Sequence, residues 1–412
     1  MMRAPVPSIT VTRRIPMLVL ACAVVASACS SAEPAPTTWP QPTTTATTTT
    51  TTSVATTTTT EPPPVERTLV GAIPAGLRTV AQDFYRWLAH QGEPRPPIVP
   101  GPLAAHVAGF TVEPGPANTR ATAAQLRNGD HIAVVVTAGD ALLLADTGAG
   151  WRIVGVLLDG LDPWLGAKSP RTLLAVGSDA RVGEDQLGLR ADSIHLLTVV
   201  PVTGEGAIVG FPRDSWVRGS KLTNLMPGHG PGYLVEVVEE ITAIDIEGWV
   251  AVGFEGFLGL MEELGSLEID LPTAMRSGNN WDDYPAGPQT LTPELTLRLA
   301  RIRKGLGGGD FDRSANQGLI MLAAMAMIAE GGILSLPRWV AAFDSHGFTD
   351  LGTVPFLTWA ATAFVASPES LTNVVVPGSN GRVGEAAVVF ISDSAEELFR
   401  DLDDGVLVSG AG

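Results

Sequence analysis

Cysteine is nearly missing from this chain. Two residues, Cys22 and Cys29, occur among 412, which excludes a disulfide framework and a thiolate metal cluster. Positive charge is scarce too: 26 lysines and arginines stand against 43 acids, a net charge of −17. An acidic chain without a basic stripe repels a phosphate backbone, so nucleic-acid binding is disfavoured. Histidines are few, and His90, His106 and His131 show no metal-ligand spacing. The apolar run Met17 to Val25 is too short to span a bilayer comfortably. Stability must therefore come from a core, for which 45% hydrophobic residues provide the material.

What is present begins with an export signal over residues 1–29. Arg13-Arg14, the apolar run and the small residues Ala26-Ser27-Ala28 follow one another before Cys29, the order of a secretory signal. Ala-Ser-Ala-Cys resembles a bacterial lipoprotein cleavage site, in which the cysteine is lipidated and becomes the first residue. An ordinary signal peptide cut nearby, or an uncleaved anchor, is the alternative. Residues 30–65 are nearly all Thr, Pro, Ala and Ser. They cannot bury a core and read as a disordered Thr/Pro-rich linker. The expected location is the cell envelope, on the outer face of the cytoplasmic membrane, anchored through lipidated Cys29.

Residues 66–166 read as a small α+β accessory domain of unknown role. Leu77 to Ala89 has helical spacing, and His131 to Val136, Ala141 to Ala145 and Trp151 to Val156 read as strands between Gly/Asp turns. Residues 167–412 alternate strands with helices. Thr172 to Gly177, Ser193 to Val200, Gly206 to Phe211, Trp249 to Val252, Leu267 to Leu271 and Ala387 to Ile391 read as strands. Leu234 to Ile241, Phe257 to Leu264, Pro293 to Arg303, Gly318 to Ala329 and Ala395 to Leu402 read as helices. The fold class is α/β, a mixed β-sheet sandwiched between helices. A chain starting near Leu165 is expected to fold alone.

Five short runs place arginine beside aspartate: Gly177-Ser-Asp179-Ala-Arg181, Arg190-Ala-Asp192-Ser193, Phe211-Pro-Arg213-Asp214-Ser-Trp216, Arg301-Ile-Arg303, and Asp310-Phe-Asp-Arg313 with Gln317. Any one is usually a surface ion pair or a turn. Several at the ends of apolar strands are different, because strand ends carry the sites of layered α/β domains. Several guanidinium forks suit a polyanionic ligand, and carboxylates among them suit a divalent cation bridging the same anion. The apolar run Gly318 to Ile328 follows Gln317 directly. It is either plain core or one wall of an apolar ligand cavity.

At these residues the chain resembles the LytR-CpsA-Psr family of cell-envelope glycopolymer transferases, from about Arg171 to Leu402. Lys221 to Asn224, Gly256-Phe257, Leu264-Gly265, Gly287 to Arg303 and Val376-Pro377-Gly378 add to the match. The resemblance implies transfer of a glycopolymer from a polyprenyl-pyrophosphate carrier to a peptidoglycan hydroxyl, with Mg²⁺ as cofactor. It implies Asp179 and Asp192 as metal ligands. Arg190, Arg213, Arg301, Arg303, Arg313 and Gln317 become the residues that bind the pyrophosphate. On chemical grounds Arg213 is expected to stabilise developing charge, and Asp214 or a metal-site carboxylate such as Asp179 is a candidate base for the acceptor proton. The pattern departs at Asn316, where the family has arginine, and at Lys221 to Asn224, where either Thr223 or Asn224 takes the asparagine position. A non-catalytic scaffold that binds polyprenyl phosphate or glycan, and a polyprenyl-pyrophosphate hydrolase, use the same residues.

Overall fold

Five strands near the start of the folded chain form one sheet in the order of the sequence. They are β1 (Arg67–Val70), β2 (Gly115–Gln125), β3 (His131–Thr137), β4 (Asp140–Asp146) and β5 (Arg152–Leu157). β1 runs parallel to β2, and the rest pair antiparallel. This computed structural model describes residues 66–166, 169–277, 281–303, 306–366 and 368–407. The export signal, Cys29, the Thr/Pro-rich linker and Lys168 lie outside the described residues. Helix α1 (Ala75–Ala89) lays Leu77, Phe84, Tyr85 and Leu88 against one face of the sheet, with Ala133 and Val135 of β3 opposite. Strand residues alternate between faces, so Ile132 and Val134 point the other way. A short helix, α2 (Gly101–His106), adds Leu103 to the α1 side.

The second sheet has six strands in the order Phe348–Thr349, Trp249–Val252, β6 (Arg171–Ser178), β7 (Ala191–Val199), β8 (Gly206–Gly210), Leu371–Val375. β6, β7 and β8 are mutually antiparallel, while the flanking Trp249–Val252 and Leu371–Val375 run parallel to β6 and β8. The sheet is thus mixed. Leu174, Leu196 and Val209 face a core completed by α3 (Pro231–Thr242) and α9 (Ser394–Asp401). The opposite face meets α4 (Phe254–Leu264) and α6 (Asp310–Glu330); α5 (Pro293–Arg301) packs on both of these helices, α7 (Leu336–His346) on α4, and α8 (Thr353–Ala360) on α7. Thr292 caps α5, accepting a hydrogen bond from the Leu295 amide, and Pro293 opens the helix where no amide hydrogen is needed.

The two regions read from the sequence share a core. Ile132, Val134, Leu143 and Leu165 pack in one cluster with Leu336, Val340, Phe356 and Leu357 of α7 and α8. All described residues belong to one compact unit. At the junction, Arg171 pairs with Glu247 through Nε at 3.0 Å and Nη2 at 2.6 Å, while Nη1 donates to the Leu165 carbonyl at 2.7 Å. The ground for expecting residues after Leu165 to fold alone is therefore removed, because that cut would expose the α7 and α8 face.

Among the described residues no single helix is long and apolar enough to cross a membrane. The apolar α6 meets the helical stretch Ile333–His346 at 104°, and the two enclose space rather than continue in line.

Candidate functional site

The site is built at the end of the second sheet where β6 stops, β7 starts and β8 is ended by Pro212. Between β6 and β7 the register shifts: Gly177 pairs with Ser193 but Ser178 with Ala191. Asp192 is the residue left over, and a bulge of this kind re-aims the side chain it carries. Gly177 permits it, since a Cβ there would lie only 2.8 Å from the Ser193 Cβ. One turn along from β8, Arg213 forms an ion pair with Asp192 through Nη1. Its neighbour Asp214 gathers cations. Lys221 Nζ lies 3.2 Å and Arg213 Nε 3.9 Å from Oδ1, and Arg303 Nη2 lies 3.9 Å from Oδ2.

Helix α6 brings the second group. It starts at Asp310, eight residues earlier than the apolar pattern alone indicates, so the Asp310 to Arg313 run is the first turn of the helix that carries Gln317. Arg313 is buried and pairs with Asp310, whose Oδ2 also accepts the Asp214 amide at 3.2 Å. Burial pushes the Arg313 guanidinium below its ordinary pKa; Asp310 and Asp192 oppose the shift, and nearby Arg213 and Arg303 add to it. The Nε atoms of Arg213 and Arg313 are both buried without a hydrogen-bond partner among the described residues. Unpaired buried guanidinium nitrogens are costly.

These groups open into a cavity of about 530 Å³. Arg213, Arg301, Arg303, Arg313, Asp192 and Gln317 line one part of it. Ile320, Met321, Ala324, Met325 and Ile328 line the rest from α6, on the same helical face as Gln317. Leu173, Ala175 and Leu197 supply the sheet wall, and Leu336, Trp339, Phe343, Phe356 and Trp359 the outer wall. Arg301 lies over the Phe254 ring at 4.4 Å, a cation–π contact that fixes its guanidinium. Gln317 donates to the Ala300 carbonyl at 3.0 Å, tying α6 to the end of α5.

Asp179 and Arg190 do not line this cavity. They pair with each other, Arg190 Nε lying 3.3 Å from Asp179 Oδ2, in a separate polar depression of about 570 Å³ shared with Arg181, Glu184 and Asn224. Thr223 is buried and Asn224 exposed, so Asn224 is the residue that reaches this depression. Asn316 also lies outside the cavity lining: it is buried, and its amide donates to the Met275 sulfur at 3.1 Å. Among the described residues no three His, Cys, Asp or Glu side chains converge to hold a metal. The two proposed ligands are nonetheless hard oxygen donors at successive strand ends. Mg²⁺ needs no more than one or two carboxylates when phosphate oxygens and water complete its shell.

The sequence reading left out Lys221, Asp310 and Phe254 as site residues, and the outer wall entirely. Trp339 with Phe343, and Phe356 with Trp359, stand at helical i,i+4 and i,i+3 spacings. That periodicity was the available signal.

Comparison with known proteins agrees with this architecture. The LytR_cpsA_psr family model matches residues 161–402. The polyisoprenyl-teichoic acid–peptidoglycan teichoic acid transferase TagU of Oceanobacillus iheyensis is 31% identical over 245 residues, 57% of this chain and 74% of that protein. The transferase of the same description from Bacillus subtilis, TagV, is 30% identical over 170 residues, 38% of this chain and 43% of its own length. The crystal structure of B. subtilis TagV shares the fold, with a TM-score of 0.50 and 22% identity, over 59% of this chain and 100% of that one. The family model covers more than half of the chain, with the mixed sheet and the arginine-lined cavity inside its bounds, and the chain belongs to the LytR-CpsA-Psr family.

Proposed function

We propose that this protein transfers a glycopolymer from a polyprenyl-pyrophosphate carrier to a hydroxyl of peptidoglycan. One observation carries the reading: four arginines and a run of apolar side chains line a single cavity. Such a lining matches an amphiphile with an anionic head and a long hydrocarbon tail. The names of the TagU and TagV relatives, which describe transfer of teichoic acid to peptidoglycan, agree with that ligand class.

In the proposed reaction the acceptor oxygen bonds to the phosphorus that carries the polymer. The bond from that phosphorus to the bridging oxygen breaks, and polyprenyl phosphate leaves with the electron pair. Charge then grows on the departing phosphate. Arg213 and Arg313, held by Asp192 and Asp310, stand ready for it, and preorganised donors of this kind contribute about 3 kcal/mol each. Arg301 and Arg303 hold the outer oxygens. Asp214, engaged by three cations, serves to orient them. The acceptor proton passes to a carboxylate, Asp179 or Asp192. Asp192, which lines the cavity, would hold Mg²⁺, which would neutralise phosphate charge when bound. Arg190 and Asn224, beside Asp179, face the side from which a polar acceptor approaches. Export and anchoring through Cys29 belong to the same reading and rest on the signal-like residues before it.

The test is transfer of a labelled polyprenyl-pyrophosphate glycan to peptidoglycan oligomers, with EDTA controls. Product on the oligomer, lost with Arg213→Ala, is the expected result. Free glycan phosphate in place of product would make water the acceptor. Lipid binding with neither outcome would leave a scaffold.

A further inference from the structure

No residue of the five-stranded accessory sheet lines the cavity, yet the sheet is packed against the cavity wall. Its β2 and β3 lie on α7, and its β4 and β5 on α8. Leu336, Val340 and Phe356 line the cavity on one side and belong to the core shared with Ile132, Val134 and Leu143 on the other. One layer of side chains therefore separates the cavity from the sheet. The turn between β2 and β3 is bonded to this wall as well. The Arg127 amide donates to Asp344 Oδ2 at 2.6 Å, and Arg127 Nη2 to the Gly347 carbonyl at 3.0 Å, both at the end of α7. At the start of α8, the Thr353 hydroxyl donates to Asp130 and accepts from Asn128 Nδ2 at 3.2 Å. On β2, the Thr122 hydroxyl donates to the Leu334 carbonyl just ahead of α7.

We propose that the accessory unit is the external support of the tail cavity, and that its clamp on α7 and α8 determines how well a long apolar chain is retained. The inference rests on the head-and-tail reading of the cavity. The reasoning is one of preorganisation. The outer wall is two short helices, and among the described residues this sheet and its turn back them both. If the wall is closed for a smaller fraction of the time, the apparent affinity for any ligand that needs it falls by that fraction. A ligand held at the arginines alone is not affected. Asp344 and Thr353 are thus positioning residues: they touch the clamp and not the ligand.

The experiment compares undecaprenyl phosphate with geranyl diphosphate, binding of each being measured by intrinsic tryptophan fluorescence in detergent. Asp344→Ala combined with Thr353→Val removes the clamp's bonds to the Asp344 carboxylate and the Thr353 hydroxyl, one at each helix, and leaves those to the Gly347 and Leu334 carbonyls. Partial loosening of the wall should lower the long-chain affinity by about tenfold while the short-chain affinity stays constant. Asp344→Asn with Thr353→Ser keeps the acceptor and the hydroxyl and should restore the wild-type ratio. An unchanged ratio in a folded double alanine–valine variant overturns the inference. Wild type that binds the long lipid no better than the short one overturns the head-and-tail reading instead. Should the variant not fold, hydrogen exchange on the wild type decides. Undecaprenyl phosphate should slow exchange in α7, α8, β3 and β4, and protection that stops at α7 and α8 refutes the coupling.

Discussion

His195 offers a prediction whose size follows from the structure. It sits on β7, fully buried, with Nε2 3.0 Å from the Ser314 carbonyl and Nδ1 3.1 Å from the Ser193 hydroxyl. A carbonyl only accepts, so Nε2 carries the hydrogen and Nδ1 accepts from serine. Burial lowers its pKa from 6.5 to about 4, and the ring is neutral in the native state at neutral pH. The unfolded chain binds a proton at about pH 6.5 that the folded chain refuses until about pH 4. Stability contributed by the neutral ring is therefore fully present above the unfolded value and falls as the pH drops through this window, by about 1.4 kcal/mol per unit. Between pH 7 and pH 4.5 the loss due to this one residue is about 2.5 kcal/mol. Urea unfolding of wild type and His195→Gln at both pH values isolates it from the carboxylates, which titrate in both proteins. The variant should start less stable at pH 7, having lost two buried hydrogen bonds, and should lose about 2.5 kcal/mol less on acidification. Parallel losses in the two proteins would refute the buried neutral ring.

Arg213→Ala should lower transfer about a hundredfold, with Arg213→Lys recovering little because an ammonium lacks the fork that spans Asp192 and a phosphate. Asp192→Asn should raise the Mg²⁺ concentration needed for half-maximal transfer, read by titrating metal into the EDTA-treated protein. Gly210→Ala would place a Cβ 2.3 Å from the Ser314 Oγ and 2.9 Å from His195 Nε2. It should cost about 1–3 kcal/mol in urea unfolding by pushing α6 off the sheet. Removal of everything before Leu165 should abolish the cooperative melt seen by circular dichroism, since it uncovers Leu336, Val340, Phe356 and Leu357.

The sequence made the central strands plain because they are buried on both faces. Thr172 to Gly177 and Gly206 to Phe211 are continuous apolar runs stopped by aspartate or proline. By contrast β2, Gly-Pro-Ala-Asn-Thr-Arg-Ala-Thr-Ala-Ala-Gln, carries neither a β-branched run nor apolar alternation, and pairing with β3 makes it a strand. The arginine runs were visible because charge in an apolar setting is conspicuous. Their partition was not. Nothing local separates Asp192, turned into the cavity by a bulge, from Asp179, which pairs with Arg190 in another depression. The support of the outer wall was invisible for a related reason: Arg127 and Asp344 are 217 positions apart, and neither stands in a distinctive local pattern.

Helix α6 carries the cationic Arg313 and the apolar Ile328 on one cavity wall, a rise of about 22 Å over those fifteen residues. The hydrocarbon core of a membrane is about 30 Å thick, so a chain seated along that length has been drawn most of the way out of its leaflet. Lipid interior and cavity lining are equally oily, and the partition between them returns almost none of the hydrophobic energy available to a tail taken from water. On the proposed function, extraction from a membrane would be driven by the phosphates meeting Arg213 and Arg313, with the tail as cargo whose fit can veto binding but not power it.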